Sequence, residues 1–331
     1  MSKNGRFLTY FILSAAVVLS AALSLFFGVA ELSPKEMFFG LMGKEGYATE
    51  SIILRSVRLP RLFASVLSGI GLSLSGVILQ SVMGNELASP NTVGVSSGAG
   101  LFAVICLFFF PSAVAFLPIF AFLGAFLACL IILAISKAAG GGRSTVILSG
   151  IALTSFFGAV ISLLTILDTD ILASYSAFSV GGFSGVETEE LILPAILIFF
   201  CLTASICLSG RIEALSLGDG MATSLGIKPS ALRASALMLA SMSAAAVISF
   251  AGLLGFVGLV VPHITRRIVG HSFKKQLTAA PILGATVVTL SDLFGRVVFA
   301  PSELSCGIIT AFVGAPFFFI LLLRGGRRYD A

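Results

Sequence analysis

Few side chains in this sequence could do covalent or metal chemistry, and their spacing favours none of it. His263 and His271 lie eight residues apart, with no cysteine or carboxylate placed to complete a metal site. Cys106, Cys129, Cys201, Cys207 and Cys306 are scattered through apolar stretches, where buried free thiols are the expected state. No two acids and no Ser–His pair stand where an intramembrane enzyme would need them. Gly43-Lys44 is the only Gly-Lys pair, and Glu45 follows where a phosphate-binding loop requires Ser or Thr. Any ATP hydrolysis therefore belongs to another polypeptide. Asp292 is the main acid deep in an apolar run. It could serve a proton relay, but Arg296 lies one helical turn on, and an ion pair is the simpler expectation.

What remains is a set of arginines and one polar island, and the elements that carry them are membrane helices. The chain has 331 residues, 57% of them hydrophobic and 11% charged, with a mean hydropathy of +1.10. Soluble domains carry about a quarter charged residues, so this is a polytopic membrane protein. No loop is long enough for a soluble domain. The net charge of +5 is not a nucleic-acid signal, because its distribution matters more than its sum. Lys3 and Arg6 precede an apolar run over 7–30 that is too long for the 7–15-residue core of a signal peptide, so it reads as a retained span. At about 20 apolar residues per span, ten helices are expected near 7–30, 57–83, 92–110, 113–136, 144–167, 191–209, 231–251, 255–269, 276–298 and 305–323. The third and eighth are short or rich in glycine. The fold class is all-α.

Ten spans put both termini on one side. With the N-terminus inside, 14 of the 20 Lys and Arg fall in inner segments. Lys35, Lys44, Arg55, Arg58, Arg61 and Arg296 remain outside. The excess of inner positive charge places both termini in the cytoplasm. Spans two to five and seven to ten each open on a helix rich in small residues, followed by a stretch with Pro and Gly. Because the two sets start on opposite sides, they suggest an inverted repeat. Ser65, Gly69 and Ser73 in span two, and Gly307, Ala311 and Ala315 in span ten, recur at four-residue spacing and argue for close helix packing.

The island is RIEALSLGDGMATSLGIKP, over 211–229. It has the grammar of two short helices. Ile212, Leu215 and Leu217 give the first an apolar side, and Gly218 stops it. Asp219 suits the N-cap of the second. Gly226 suits the position after its end, with Pro229 forbidding continuation. A membrane protein needs only a few residues to turn round. Two capped helices outside the bilayer suggest a surface on which something presses, although composition alone also fits an ordinary interfacial loop.

Three stretches carry a more specific signal. The first is Arg58-Leu-Pro-Arg61 with SGIGLSLSGVILQSVMGNELASPNTVGVSSGAG. The second is LSLGDGMATSLGI in the island. The third is GFVGLVVPHITRRIVG, continued by LGATVVTLSDLFGR and ELSCGIITAFVGAPFFFILLLR. Together, from about Arg55 to Arg324, they resemble the permease family of ABC importers for iron–siderophore complexes, haem and cobalamin. The resemblance implies a single ten-helix transmembrane permease domain over 1–331, paired with a second copy or a close homologue, in the bacterial plasma (inner) membrane. It implies two cytoplasmic ABC ATPase subunits and an extracytoplasmic substrate-binding protein. No cofactor is expected on this chain; ATP and Mg are used by the partner ATPase, and no metal is held. Two motifs depart from the family pattern. Glu86 and Ser89 replace a proline and an aspartate in N-P-L-A-D-P, and Ser305 replaces the proline of E-L-P-x-G.

By resemblance, the island becomes the coupling segment set in a cleft of the ATPase, with Leu215, Leu217, Gly218, Asp219, Ala222, Leu225 and Gly226 as its residues. Arg58, Arg61 and Arg296 would receive acidic groups of the binding protein, for which arginine is suited by its fixed charge and forked donors. They could instead anchor helix ends or pair with Glu50, Asp292 or Glu303. Arg143, Ser144 and Thr145, at the start of span five, occupy the place of the inner gate; a flexible turn with Ser144 as helix cap is the plainer reading. Pro262, His263 and Arg266 form the family's P-H-x-x-R stretch, with His263 expected as a hydrogen-bonded helix-end residue.

A secondary transporter driven by an ion gradient is the competing class. It would want acidic or polar groups near mid-membrane, and these spans offer almost none. Siderophore is the favoured cargo, with haem and cobalamin as alternatives.

Overall fold

The structure is a computed structural model that describes residues 3–28, 30 and 32–326. Arg327 and Arg328, which entered the charge distribution, lie outside the described residues. The described chain is helical throughout: α1 (Lys3–Phe26), α2 (Pro34–Met42), α3 (Ala48–Ile52), α4 (Leu59–Met83), α5 (Val95–Phe109), α6 (Leu117–Ala138), α7 (Arg143–Leu167), α8 (Ile171–Val180), α9 (Ile192–Cys207), α10 (Ser209–Ser216), α11 (Asp219–Ser224), α12 (Pro229–Ala251), α13 (Val257–Val269), α14 (Phe273–Val297) and α15 (Cys306–Gly326). A π-helical turn over Ile53–Arg58 joins α3 to α4, making one helix of 36 residues. Seven of these helices are long and apolar enough to cross a membrane. The helices at the expected third and eighth positions, α5 and α13, have 15 and 13 residues. At 1.5 Å per residue they span only about 20 Å, short of a hydrocarbon core of about 30 Å.

α4 is the axis of the bundle. Nearly its whole surface is buried, and it packs against α12, α13 and α14. The expected stripe of small residues explains how α14 comes so near. A Cβ placed on Gly69 would lie 2.2 Å from the carbonyl oxygen of Gly284, and one on Gly284 would lie 2.3 Å from that of Gly69. The two backbones touch, and Ser65 reaches Thr289 across the same seam at 3.1 Å. Without a hydrophobic drive between helices in lipid, such contact and hydrogen bonding hold a bundle together. α4 lies along α14, and α12 lies along α6. The first helix of each suspected repeat thus packs on the third helix of the other, the reciprocal arrangement that two related halves produce.

Besides the short α3, which extends the second span, two elements were not expected. α2 opens with a capping box, in which Ser33 and Glu36 exchange side-chain and backbone hydrogen bonds, and Pro34 occupies the first turn. The pattern S-P-K-E was the available signal. α8 is a ten-residue apolar helix whose C-terminal end meets two other breaks in the bundle. Leu253 N–H donates to Phe178 O at 3.0 Å, Gly182 N–H to Ala251 O at 2.8 Å, and Gly307 N–H to Gly181 O at 3.2 Å. Non-helical backbone at membrane depth is tolerated only where protein or a cavity satisfies it, and here three broken segments satisfy one another.

Candidate functional site

The island folds as its residues suggest, with one exchange of roles. α10 runs directly on from α9 and stops at Leu217, after which Gly218 takes φ +118°. α11 ends on Leu225. Gly226 follows with φ +75°, and its N–H donates to Thr223 O at 2.9 Å while Ile227 N–H donates to Ala222 O at 3.0 Å. This is the paired closure of a Schellman motif, which requires the left-handed conformation that glycine adopts without strain. The segment has two faces. Ile212, Leu215 and Ala222 are completely buried, and α10 packs on α4, α12 and α14. Leu217, Met221 and Leu225 point outward with exposures of 71%, 53% and 62%. Of the expected residues, Leu215 and Ala222 therefore fix the segment to the bundle, while Leu217 and Leu225 form its free surface. Met221 was missed, although the spacing of four through 217, 221 and 225 marks it.

Asp219 is not the helix cap. Gly218 holds that position, and the Asp219 carboxylate turns sideways to two arginines. Arg233 on α12 donates to both of its oxygens, at 2.7 and 2.9 Å, and Arg143 donates to one at 3.2 Å. Arg143 also donates to Leu215 O at 3.0 Å, and Arg233 to Gly141 O at 3.1 Å. The hydrogen bond from Arg233, with the charges of Arg233 and Arg143, outweighs the opposing effect of burial and holds Asp219 below the usual carboxylate range. Two guanidinium groups on one carboxylate outbid the free N–H groups of a six-residue helix.

The expected gate residues sit beside this cluster. α7 begins at Arg143, with Gly142 as its cap, so Ser144 is a helical residue and not the cap. Arg143 is part-buried, Ser144 is exposed and Thr145 is half-buried. At the same end of the bundle, His263 behaves as a hydrogen-bonded residue. Its Nε2 accepts from Arg267 at 3.1 Å, so its Nδ1 carries the proton and donates to Glu86, also at 3.1 Å. Glu86 further binds Arg266 at 2.5 Å, and Arg266 reaches Gln80 at 3.1 Å. Burial alone would raise the Glu86 carboxyl, but Arg266 and His263 bring it below its usual range. Glu86 stands where the family pattern has proline, and it ties the turn after α4 to Pro262-His263-Arg266 on α13. Among the described residues no three His, Cys, Asp or Glu side chains gather as a metal site.

The arginines expected to receive a partner's acidic groups are buried inside this chain, where they meet the partners of the alternative reading. Arg58 donates to the carbonyls of Leu25, Phe26 and Ala30 and so closes the end of α1. Arg61 grips Asp292 through Nε at 3.0 and 3.1 Å and reaches Glu303 at 2.6 Å. Arg296 pairs with Asp292 at 3.1 Å and donates to Ser24 Oγ at 2.7 Å. All three are at most 6% exposed. The physical reason is that each faces a ready partner: unsatisfied carbonyls at a helix end for Arg58, Asp292 and Glu303 across the bundle for Arg61, and Asp292 one turn away for Arg296.

A family model described as the FecCD transport family matches residues 16–324. The chain belongs to the FecCD transport family. It is 34% identical to the Fe(3+)-citrate import system permease protein YfmE of Bacillus subtilis (strain 168), over 97% of this chain and 96% of that one. It is 34% identical to the achromobactin transport system permease protein CbrC of Dickeya dadantii (strain 3937), over 98% and 93%. Among solved structures it resembles a metal-chelate type ABC transporter in an inward-facing conformation, with a TM-score of 0.85, 29% identity and coverage of 95% and 98%. PsaBC from Streptococcus pneumoniae, at a TM-score of 0.60 and 16% identity, shares the fold. This FecCD chain is thus a multi-pass permease subunit of an ABC importer and not an enzyme. It binds no cofactor of its own, and the use of ATP belongs to a partner ATPase. A substrate-binding protein is the other general partner of such a subunit.

Proposed function

We propose that this chain forms the membrane pathway of an importer for a ferric siderophore, and that its 209–227 segment is where the ATPase pushes. The observation that carries the reading is the two-faced segment. Its inner side is locked onto α4, α12 and α14, and its outer side offers Leu217, Met221 and Leu225 to solvent. An exposed apolar face held on a rigid base marks a protein contact. The positive-inside distribution supports a cytoplasmic side for the segment and both termini, on a reading of ten spans in which α5, α13 and α15 join the seven long helices. Relatives named for ferric citrate and achromobactin support an iron chelate as cargo. A second copy or homologue covering exposed Phe312, Val313 and Phe319 of α15 completes the pathway. Two ATPase subunits and one binding protein complete the importer. Near the outer face, Arg58, Arg61 and Arg296 serve as anchors that hold helix ends.

The test is uptake into proteoliposomes containing this permease with its ATPase and binding protein. Ferric siderophore should enter only with ATP inside the reach of the ATPase, and a protonophore should not stop it. Uptake that persists without the ATPase, or that collapses with the ion gradient, would show a secondary transporter. Entry of haem or cobalamin in place of the ferric siderophore would move the cargo within the same family.

A further inference from the structure

The coupling segment and the inner end of α7 are joined by no stiff covalent path. Between α6 and α7 the chain passes through Gly140 and Gly141, at φ +98° and +72°, with open space around both. Such a turn gives no side-chain packing that would brace the start of α7 against the end of α6. The tie runs instead through side chains. Asp219, the first residue of α11, is held by Arg233 of α12 and by Arg143, the first residue of α7. Arg143 also takes the last-turn carbonyl of α10, at Leu215.

The two arginines differ in kind. The Arg233 side chain is 3% exposed, meets both carboxylate oxygens, and has no other acid partner among the described residues. Its Nε is buried without a partner, so freeing Asp219 would leave a buried cation still less satisfied. Arg143 is more open, meets one oxygen at 3.2 Å, and stands just after the glycine turn, at the start of α7. A partly exposed ion pair in water is weak and can break and reform.

We propose that Asp219 is a positioning residue, fixed to α12 by Arg233, and that its bond to Arg143 is the movable tie that carries displacement of the coupling segment to the inner end of α7. The proposal rests on the coupling reading above and adds the route by which the push reaches the first turn of α7. One carboxylate thereby connects α11, α12 and α7. The turn carbonyl at Gly141 and the α10 carbonyl at Leu215 are held by the same two arginines. Movement of the segment cannot leave Arg143 unaffected without losing these bonds.

The experiment uses the assembled importer in proteoliposomes and reads three quantities: ATPase retained on the permease, ATP hydrolysed, and chelate transported per ATP. Arg143→Gln leaves the exposed Leu217, Met221 and Leu225 face untouched. It should retain the ATPase and its hydrolysis, while chelate per ATP falls by about tenfold, within the range of mutations that break coupling. Arg143→Lys, which keeps a charged donor, should recover most of the loss. Asp219→Asn provides a second route to the same fall if Arg143→Gln accumulates poorly. Transport per ATP equal to wild type in Arg143→Gln or in Asp219→Asn would overturn the tie. Loss of the ATPase from Arg143→Gln would overturn it too, by making Arg143 part of the docking surface. Leu217→Asp with Leu225→Asp separates this from the coupling reading. If that variant keeps its ATPase, the coupling reading fails whatever the Arg143 variants do.

Discussion

The two ends of this permease both hold a carboxylate between two arginines, and burial gives them opposite uses. Asp292, with 1% of its side chain exposed, lies between Arg61 and Arg296, which are equally hidden. Asp219, 51% exposed, lies between buried Arg233 and part-open Arg143. Charges taken from water must stay paired, because a lone buried ion is very costly. The Asp292 cluster is therefore a clamp, locking α4 to α14 and, through Arg296 and Arg58, the end of α1. The Asp219 cluster has one locked half and one half that water can replace. Where both partners are enclosed the pair is architecture; where one is open it can take part in a cycle.

The sharpest way to break this comparison is to remove the acid at each end. Asp292→Asn should cost about 3–5 kcal/mol, since Arg61 and Arg296 lose their shared counter-charge in a buried site. Little folded permease should then remain in the membrane, measured by detergent-extracted monodisperse protein. Asp219→Asn keeps an oxygen acceptor for Arg233 at a half-exposed position, so it should cost less folded protein than Asp292→Asn and act mainly on transport. Equal losses of folded protein at both ends would erase the distinction. Next in size is the seam between α4 and α14. Gly69→Leu must push Gly284 away, and overpacking of this kind costs about 1–3 kcal/mol or more. A lowered melting temperature in detergent is the readout, and an unchanged one would mean that the backbones do not touch. Gly226→Val is gentler. A β-branched residue in the left-handed conformation is strained by about 1–2 kcal/mol, which should loosen α11 and reduce uptake with normal membrane abundance.

The smallest effect concerns pH. Asp219 is held below the ordinary value of 3.8, so it binds its proton more weakly in the folded protein than in the unfolded chain. Its ties contribute fully above that ordinary value and are lost only as pH falls through the lower folded one. Transport per ATP should therefore not change through protonation of Asp219 between pH 8 and pH 6, roughly the range in which vesicles are assayed. A step in that range that Asp219→Asn removes would show that Arg233 does not hold the carboxylate as described.

What the sequence revealed and what it hid follow one physical line. The island was legible because Gly218, Gly226 and Pro229 punctuate it and its apolar residues are regularly spaced. These are local signals. The short α5 and α13 were legible for the same reason, through their glycines and prolines. The role of Asp219 was not, because its partners lie 14 and 76 residues away and a good cap residue looks the same whichever partner it finds. Arg58 and Arg61 read as outer charges because burial is a property of the packed bundle; nothing near Arg58 in sequence shows that the end of α1 needs its donors. Glu86 was noted only as a departure from a pattern, and the structure shows the departure has a partner in His263 and Arg266. α8 escaped because ten apolar residues are too few for a span, although Asp170 before it and Gly181 after it, at φ +71°, were the available signals.

The central claim is that the ATPase engages the outward face of the 209–227 segment. Its most direct test is retention of the ATPase by Leu217→Asp with Leu225→Asp, purified beside wild type in the same detergent and matched for folded permease. Both side chains are exposed, so the exchange removes no internal contact and membrane abundance should be unchanged. The account predicts that the ATPase is lost from this variant and kept by the wild type. An ATPase that stays bound, with chelate uptake intact, would contradict it.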